Sequence, residues 1–244
     1  MEEGKDMETY QEFLNRINSF EKKEVFYGYD YFTGNPSIAE KVDSENQFKE
    51  FYGDTIVFQL DDEFKKKLEE YVEELYKEVP ECFCEKLVSN TYHMTLHDLS
   101  NSPVFDTAIV EGLQNEWKVL KEARNINVQS IKMKSKYIFN MVGTSLVLGL
   151  YPADEKEYEK LMELYCLFDK IKTLNYPLTP HITLAYYNVH GFSAESARKL
   201  EQIVLKMNDL ELETELKIEN LYYQRFLSMN HYVDILNLGE IKNL

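Results

Sequence analysis

Polar and apolar residues alternate in two short stretches of the chain, His93-Met94-Thr95-Leu96 and His181-Ile182-Thr183-Leu184. Side chains on a β-strand point to opposite faces with a period of two, so each stretch predicts a strand with histidine and threonine on one face. The apolar residues between them point the other way, into a core. The pattern therefore predicts two polar strand faces, each with one imidazole and one hydroxyl.

The segments before these two strands repeat the same order of elements. Strand, helix and histidine strand are predicted at 55–60, 62–79 and 92–98 in the first copy and at 145–150, 155–172 and 180–187 in the second. The spacing is nearly equal, since Gly53 precedes His93 by 40 positions and Gly143 precedes His181 by 38. A repeated order at a repeated spacing indicates an internal duplication.

Helical periodicity predicts the helices and their buried faces, because apolar residues three or four positions apart share one side of a helix. The predicted faces are Tyr10, Phe13, Leu14, Ile17 and Phe20 within 1–24; Phe64, Leu68, Tyr71, Val72 and Leu75 within 62–79; Ile109, Leu113, Trp117 and Leu120 within 105–123; Tyr158, Leu161, Leu164, Tyr165 and Phe168 within 155–172; and Ala197, Leu200, Ile203, Val204 and Met207 within 193–208. Three of these helices have predicted N-caps, at Asp61 or Asp62, at Asp154 and at Ser193.

Further strands are predicted near 128–141, 211–218, 220–227 and 231–236. Together the elements predict an α+β fold of duplicated, bilobal form, with two antiparallel sheets facing a central cleft and helices outside. The lobes span roughly 53–125 and 143–208, and strands from 128–141 and 211–236 complete them within a single domain at 51–240. Residues 1–50 are predicted to be a helical and irregular extension packed on that domain, with a cover over the cleft as the alternative.

Composition and charge narrow the function classes. The chain has 244 residues, 44% apolar and 14% aromatic, which indicates a folded globular protein. A formal net charge of −16 opposes attraction to long DNA or to an anionic membrane surface. We expect a cytoplasmic protein, since the acidic N-terminus lacks the apolar segment of a secretion signal and no run is long enough to span a membrane. Three cysteines fit neither a disulfide framework nor a zinc site, so no metal and no cofactor are predicted.

The two His-x-Thr strands in duplicated lobes resemble the two-histidine phosphoesterase superfamily. The resemblance covers residues 53 to 236, and the run Tyr92-His93-Met94-Thr95 looks most like bacterial members without an assigned role. The first 50 residues lie outside it. The resemblance implies a catalytic set of four residues, His93, Thr95, His181 and Thr183.

The chemistry of these residue types agrees with that implication. Opening a 2′,3′-cyclic phosphate or a related phosphodiester requires one group that deprotonates the attacking water and another that protonates the departing oxygen. An imidazole can do either near neutral pH, because its ordinary pKa is about 6.5, and threonine hydroxyls can donate to the phosphate oxygens. Which histidine is acid and which is base stays open.

The function predicted from the sequence is a metal-independent phosphodiesterase acting, as a monomer, on a small nucleotide or an RNA end. A catalytically inactive nucleotide- or RNA-binding module of the same fold is the main alternative, and a protein–protein scaffold is a third. A structural role for both His-x-Thr pairs, lining a polar interior, also stays open.

Three further residues are predicted to contact the substrate. His97 comes two positions after Thr95 and is expected on the same strand face, at the rim of the cleft, where the second copy has Ala185. Arg225 is expected to hold a phosphate bidentately, with Tyr223 beside it as a platform for a base. An ordinary surface position for Arg225 is the alternative.

Overall fold

The computed structural model describes residues 8–21, 30–208 and 211–241. The helices of these residues are α1 (Tyr10–Asn18), α2 (Asp62–Glu78), α3 (Phe105–Ala123), α4 (Glu155–Asp169), α5 (Ala194–Met207) and α6 (Leu238–Ile241). The strands are β1 (Tyr31–Phe32), β2 (Tyr52–Gln59), β3 (His93–Ser102), β4 (Ser130–Met141), β5 (Ser145–Pro152), β6 (His181–Tyr186), β7 (Phe192–Ser193), β8 (Glu213–Lys217), β9 (Leu221–Ser228) and β10 (His231–Asn237).

Two four-stranded antiparallel sheets form the body of the protein, which confirms the predicted α+β class. Their strand orders are β10-β9-β2-β3 and β6-β5-β4-β8, and β1 and β7 form a separate two-stranded ribbon. The histidine strands β3 and β6 are therefore both edge strands. They lie side by side at the junction of the two sheets, where Cα atoms of the two strands approach within 8 Å.

The predicted duplication is visible as β2-α2-β3 and β5-α4-β6, each with an antiparallel strand pair joined through a helix. The caps are as predicted: Asp61 accepts a hydrogen bond from the backbone N–H of Phe64 at 2.7 Å, and Asp154 accepts one from Glu157 at 2.9 Å. The predicted apolar faces of α2, α4 and α5 are buried. Because α2 contacts β6 and α4 contacts β3, the helices tie the two halves together over one continuous core.

Helix α3 buries a different face from the predicted one. Its buried residues are Ala108, Gly112, Val119 and Ala123. Trp117, predicted to be in the core, is 73% exposed. Polar contacts hold α3 in this rotation, since Asn115 donates to Asp54 of β2 at 3.0 Å and Glu116 pairs with Arg225 of β9 at 2.6 Å. Small residues on the buried face also let the helix lie close to the sheet.

The described part of the N-terminal extension packs against the second half of the chain. Phe13 and Ile17 of α1 are buried against Tyr158 of α4. The helix predicted within 1–24 is observed only over α1, and residues 1–7 and 22–24 lie outside the described residues. A 3₁₀ helix at Pro36–Glu40 follows β1 and leads to the first sheet. No helix in the described ranges has both the length and the apolar character that crossing a membrane requires.

Candidate active site

His93 and His181 line one cavity between the two sheets. The cavity has a volume of about 680 Å³, within the usual range for small-molecule sites, and Thr95 and Thr183 line it as well. Both imidazoles are partly exposed to it. The two copies of the His-x-Thr strand thus contribute to a common pocket, although they are about 90 residues apart in sequence.

The two imidazoles are held in the same way. Nδ1 of His93 lies 2.7 Å from the carbonyl oxygen of Thr91, and Nδ1 of His181 lies 2.7 Å from the carbonyl oxygen of Thr179. A carbonyl oxygen can only accept, so each Nδ1 carries the proton and donates it. In the neutral ring Nε2 is then unprotonated and is left available to a ligand. Each ring is therefore oriented as a base when neutral and as an acid when charged.

The two threonine hydroxyls are available to a ligand. Across the described ranges, neither Oγ1 of Thr95 nor Oγ1 of Thr183 has a hydrogen-bond partner. Each lies on the cavity side of its strand, two residues after its histidine. A hydroxyl that is free and faces a cavity can donate to an anionic oxygen bound there.

Matching β-bulges lie immediately beyond the two threonines. In β3 the partners of Val57 and Ile56 are Thr95 and His97, so Leu96 is extra. In β6 the register skips one residue in the same way, at Leu184. A bulge shifts the alternation of side chains by one position. It therefore changes which residue returns to the cavity after each His-x-Thr motif.

Asp98 and Tyr186 are the residues that the bulges direct towards the cavity. Both follow their histidine by five positions and both line the cavity. Asp98 accepts a hydrogen bond from the hydroxyl of Tyr176 at 2.9 Å. Sequence reasoning missed Asp98, because strict alternation assigns it to the opposite face of β3. The internal repeat offers a signal, since Asp98 and Tyr186 occupy equivalent positions in the two copies.

His97, predicted at the rim of the cleft, is among the residues that line the cavity. Its side chain is buried, at 1% exposure, because the bulge directs it into the protein. The ring packs on Tyr165 of α4 with centroids 4.9 Å apart, and Nε2 lies 3.5 Å from a carboxylate oxygen of Asp169. Ala185, its counterpart in the second copy, is also buried. His97 therefore contacts α4 from the first sheet, and its contact with a substrate stays a prediction.

Arg225 and Tyr223, predicted to contact the substrate, have side chains that lie under α3 and outside the cavity lining. Arg225 pairs with Glu116, and the Tyr223 hydroxyl lies 2.9 Å from a carboxylate oxygen of Asp54 and 2.8 Å from the carbonyl oxygen of Gly112. Residues two apart on a strand share a face. Both face α3, so β9 presents Phe226, and not these two residues, to the cavity.

Burial lowers the pKa of both cavity histidines. For His93 the pKa falls to about 4, mainly because the walls of the cavity shield the ring from water and further because of the cationic neighbours His181 and Lys65. For His181 burial again lowers the pKa below its ordinary value of 6.5. In both cases the hydrogen bond to a backbone carbonyl and the negative charge of Asp98 act in the opposite direction and raise the pKa. Asp98 thus stabilises a proton on either ring.

Metal sites need three or more suitably placed histidine, cysteine or carboxylate side chains. Residues 8–21, 30–208 and 211–241 contain no such group. The three cysteines are free thiols, and burial raises the pKa of Cys82 and of Cys84 to about 12, which makes thiolate formation unfavourable. Neither buried thiol therefore supplies a thiolate near neutral pH.

Comparison with known proteins gives similarity in structure only. No family model matches the chain, and no curated protein matches its sequence. The crystal structure of ATU0111, a conserved protein of unknown function from Agrobacterium tumefaciens, is similar with a TM-score of 0.60 at 14% identity, covering 84% of this chain and 94% of that chain.

Two other solved structures are similar at lower scores. E. coli LigT in its apo form has a TM-score of 0.47 at 14% identity, covering 77% of this chain and 96% of that chain. TT0787 of Thermus thermophilus has a TM-score of 0.46 at 14% identity, covering 75% and 94%. A TM-score below 0.5 does not establish a common fold. The chain therefore has the fold of the Agrobacterium protein, and its two antiparallel sheets around a cleft are the architecture that the resemblance to two-histidine phosphoesterases predicts.

Proposed function

We propose that the chain is a metal-independent phosphodiesterase that hydrolyses a 2′,3′-cyclic phosphate, or a related phosphodiester, in a small nucleotide or at an RNA end. His93 and His181 transfer the protons, and Thr95 and Thr183 bind the phosphate oxygens. The resemblance of the two His-x-Thr motifs to those of two-histidine phosphoesterases supports this proposal.

One observation carries the proposal. Both imidazoles donate Nδ1–H to a backbone carbonyl, which leaves both Nε2 atoms available in one cavity beside two unpaired hydroxyls. A site that only bound a nucleotide would need hydrogen-bond donors, whereas two titratable rings oriented for proton transfer are what acid–base catalysis needs. This pairing favours an enzyme over a binding module.

In the proposed reaction a water oxygen attacks phosphorus and the bond from phosphorus to one ribose oxygen breaks. The neutral imidazole takes a proton from the water, and the charged imidazole gives its proton to the departing ribose oxygen. The product is a phosphomonoester with a free neighbouring hydroxyl. The hydroxyls of Thr95 and Thr183 donate to the non-bridging oxygens, where negative charge builds up in the transition state. Exchange of protons with water restores the starting state.

We assign His93 as the base and His181 as the acid in the hydrolytic direction. The pKa of His93 is lowered to about 4, so this ring is neutral and able to accept a proton near pH 7. Lys65 further disfavours a proton on His93, and Asp98 favours the protonated form of His181. The negative charge of a bound phosphodiester favours the same form.

The test is a panel of nucleoside 2′,3′-cyclic phosphates, 3′,5′-cyclic nucleotides and linear dinucleotides incubated with the protein and followed by phosphorus NMR, which reports both linkage and product. His93→Ala and His181→Ala should each reduce turnover by about 10²- to 10⁴-fold, the usual contribution of one proton transfer. EDTA should have no effect. His231→Ala is the matched control, because His231 is exposed on β10 and does not line the cavity.

The proposal is refuted if both single variants, folded as judged by circular dichroism, retain the turnover of the wild type. Loss of activity in EDTA would contradict the metal-independent mechanism. Saturable binding of a mononucleotide with no product after long incubation would instead support the binding module.

A further inference from the structure

The N-terminal extension contributes two cations to the lining of the cavity, Arg16 of α1 and Lys41 after the 3₁₀ helix. Arg16 is fully engaged. It forms an ion pair with Glu8 at 2.7 Å and donates to the carbonyl oxygen of Leu178 and the hydroxyl of Thr179. These contacts attach α1 to the segment before β6, so Arg16 has a structural explanation.

Lys41 has no comparable partner. In the described ranges, its ammonium group makes no ion pair with a carboxylate and no hydrogen bond, although the exposed Glu40 precedes it. Nζ instead lies 5.4 Å from the ring centroid of Phe51 and 5.4 Å from that of Tyr186. Lys41 is thus a half-buried cation that lines the cavity without a carboxylate partner, in a chain with a net charge of −16.

The backbone holds Lys41 in place. Its N–H donates to the carbonyl oxygen of Ile38 at 2.9 Å, and its carbonyl oxygen accepts from the N–H of Lys49 at 2.8 Å. Ile38 and Val42 on either side are 2% and 1% exposed, so both anchor the segment in the core. The backbone from which the Lys41 side chain extends is therefore fixed, and the rings of Phe51 and Tyr186 flank the ammonium group.

Aromatic rings connect Lys41 to His93 along one wall of the cavity. Tyr232 lies edge-on to His93 at 4.9 Å, Phe226 lies 5.6 Å from Tyr232, and Phe51 lies 6.0 Å from Phe226. All three rings line the cavity. Phe51 and Phe226 are buried, at 3% and 8% exposure, whereas Tyr232 is partly exposed. Tyr232 is therefore the ring of this wall that is suited to stacking on a nucleobase. The wall thus starts at a catalytic imidazole and ends at an unpaired ammonium group.

Lys41 is placed away from the residues assigned to the reacting phosphate. Its ammonium group lies over the ring of Tyr186, three residues beyond Thr183 on β6, and contacts neither threonine hydroxyl in the described ranges. A lysine ammonium is a compact charge that binds phosphate well. The separation indicates a second anionic group on the same ligand.

We propose that Lys41 binds a second phosphoryl group of the substrate, separate from the one that reacts, while the nucleoside lies against Tyr232, which packs on Phe226 and, through it, on Phe51. This inference rests on the proposed function and makes it more specific. The preferred substrate class is a nucleotide or oligonucleotide end with a 2′,3′-cyclic phosphate and a further phosphate at its 5′ side. A nucleoside 2′,3′-cyclic phosphate without that second group lacks the contact.

The experiment compares adenosine 2′,3′-cyclic phosphate with and without a 5′-phosphate, measuring kcat/KM for each. The wild type should prefer the 5′-phosphorylated form. Lys41→Met keeps the length and apolar stem of the side chain but removes the charge, and it should lower the preference ratio by about 10- to 100-fold, the effect of one hydrogen bond to a charged group. Lys41→Arg should retain most of the preference.

Lys49→Met is the matched control, because Lys49 lies on the same segment but donates to the carbonyl oxygen of Ala39 outside the cavity. Its preference ratio should stay within twofold of the wild-type value. An unchanged ratio in Lys41→Met would overturn the inference and assign Lys41 a purely structural contact with Phe51 and Tyr186. That result would leave the proposed hydrolysis intact.

A binding measurement separates the two proposals. Calorimetric titration with adenosine 2′,5′-bisphosphate and with adenosine 2′-monophosphate reports the second phosphate without any turnover. If the wild type hydrolyses neither cyclic substrate, the proposed function fails, and the inference stands only if Lys41→Met still weakens the bisphosphate selectively. Equal weakening of both ligands would overturn it.

Discussion

The activity of this chain should decline steeply above pH 6.5. The ratio kcat/KM reports ionisations of the free enzyme, which needs one cavity imidazole neutral and the other protonated. Burial lowers the pKa of His93 to about 4 and lowers that of His181 below 6.5. The imidazole that acts as the acid must be protonated, so kcat/KM falls once the pH exceeds the higher of the two histidine pKa values. The optimum should therefore lie between about 4 and 6.5.

The size of the decline follows from these limits. With the pKa of His181 at or below 6.5, at most about 1% of the ring is protonated two pH units higher, at pH 8.5. Then kcat/KM at pH 8.5 is at most about one hundredth of its limiting value, and it falls about tenfold for each further pH unit. On the acid side kcat/KM should fall as His93 becomes protonated near pH 4.

A substitution at Asp98 tests this pH dependence directly. Its charge raises the pKa of both imidazoles, so Asp98→Asn should lower both values and move the alkaline limb of the profile to lower pH. The asparagine keeps an oxygen that can accept from the Tyr176 hydroxyl. Asp106→Asn is the matched control, since Asp106 is an exposed carboxylate in the first turn of α3.

The assay is initial-rate hydrolysis of a 2′,3′-cyclic nucleotide, with kcat/KM measured from pH 4 to pH 9 in buffers of constant ionic strength. A profile that stays level from pH 6 to pH 8.5 would refute the reasoning. So would an alkaline limb that moves to higher pH in Asp98→Asn, or one that moves equally in Asp106→Asn.

Three other outcomes are expected. Thr95→Val and Thr183→Val should each reduce kcat by about 10²- to 10³-fold, as removal of a donor to a developing oxyanion does, with partial recovery in the serine variants; a change confined to KM would contradict the role in the transition state. Tyr223→Phe should lower the free energy of unfolding by about 1.5–3 kcal/mol in urea titrations, because it removes a hydrogen bond to the buried carboxylate of Asp54, and a loss below about 0.5 kcal/mol would contradict that contact. Trp117, the only tryptophan, should show the emission of a water-exposed indole and be quenched readily by acrylamide, whereas a shielded spectrum would indicate that the face of α3 is covered.

The helices show where the local residue pattern is enough to predict the buried face and where it is not. In α2, α4 and α5 the apolar stripe is wide and regular, and the predicted residues are the buried ones. In α3 the stripe through Leu113 and Trp117 is exposed, because the opposite face carries the polar groups that meet Asp54 and Arg225 from the first sheet. Those partners are distant in sequence, so periodicity within α3 could not reveal them.

In the candidate site, too, some residue positions followed from the local sequence pattern and others did not. The four residues of the two His-x-Thr motifs were found from the alternation of two short strands and from their repetition, and they line one cavity as expected. The predictions for His97, Arg225 and Tyr223 assumed unbroken strands and an open sheet face. A bulge turned His97 inwards, and α3 covered the other two. The residue pattern within a single strand reveals neither the bulge nor the covering helix.

The amino-acid sequence by itself determined the α+β class, the order and approximate limits of the strands and helices, most N-caps, and the pair of imidazole–hydroxyl faces. These features depend on side-chain periodicity and on contacts between residues a few positions apart. Only the tertiary structure decided that β3 and β6 meet as edge strands, that Asp98 and Tyr186 enter the cavity, and that Lys41 faces it from the extension. The reason is physical, because these arrangements arise from register shifts and from packing between segments that are 40 to 150 residues apart, which no local pattern encodes.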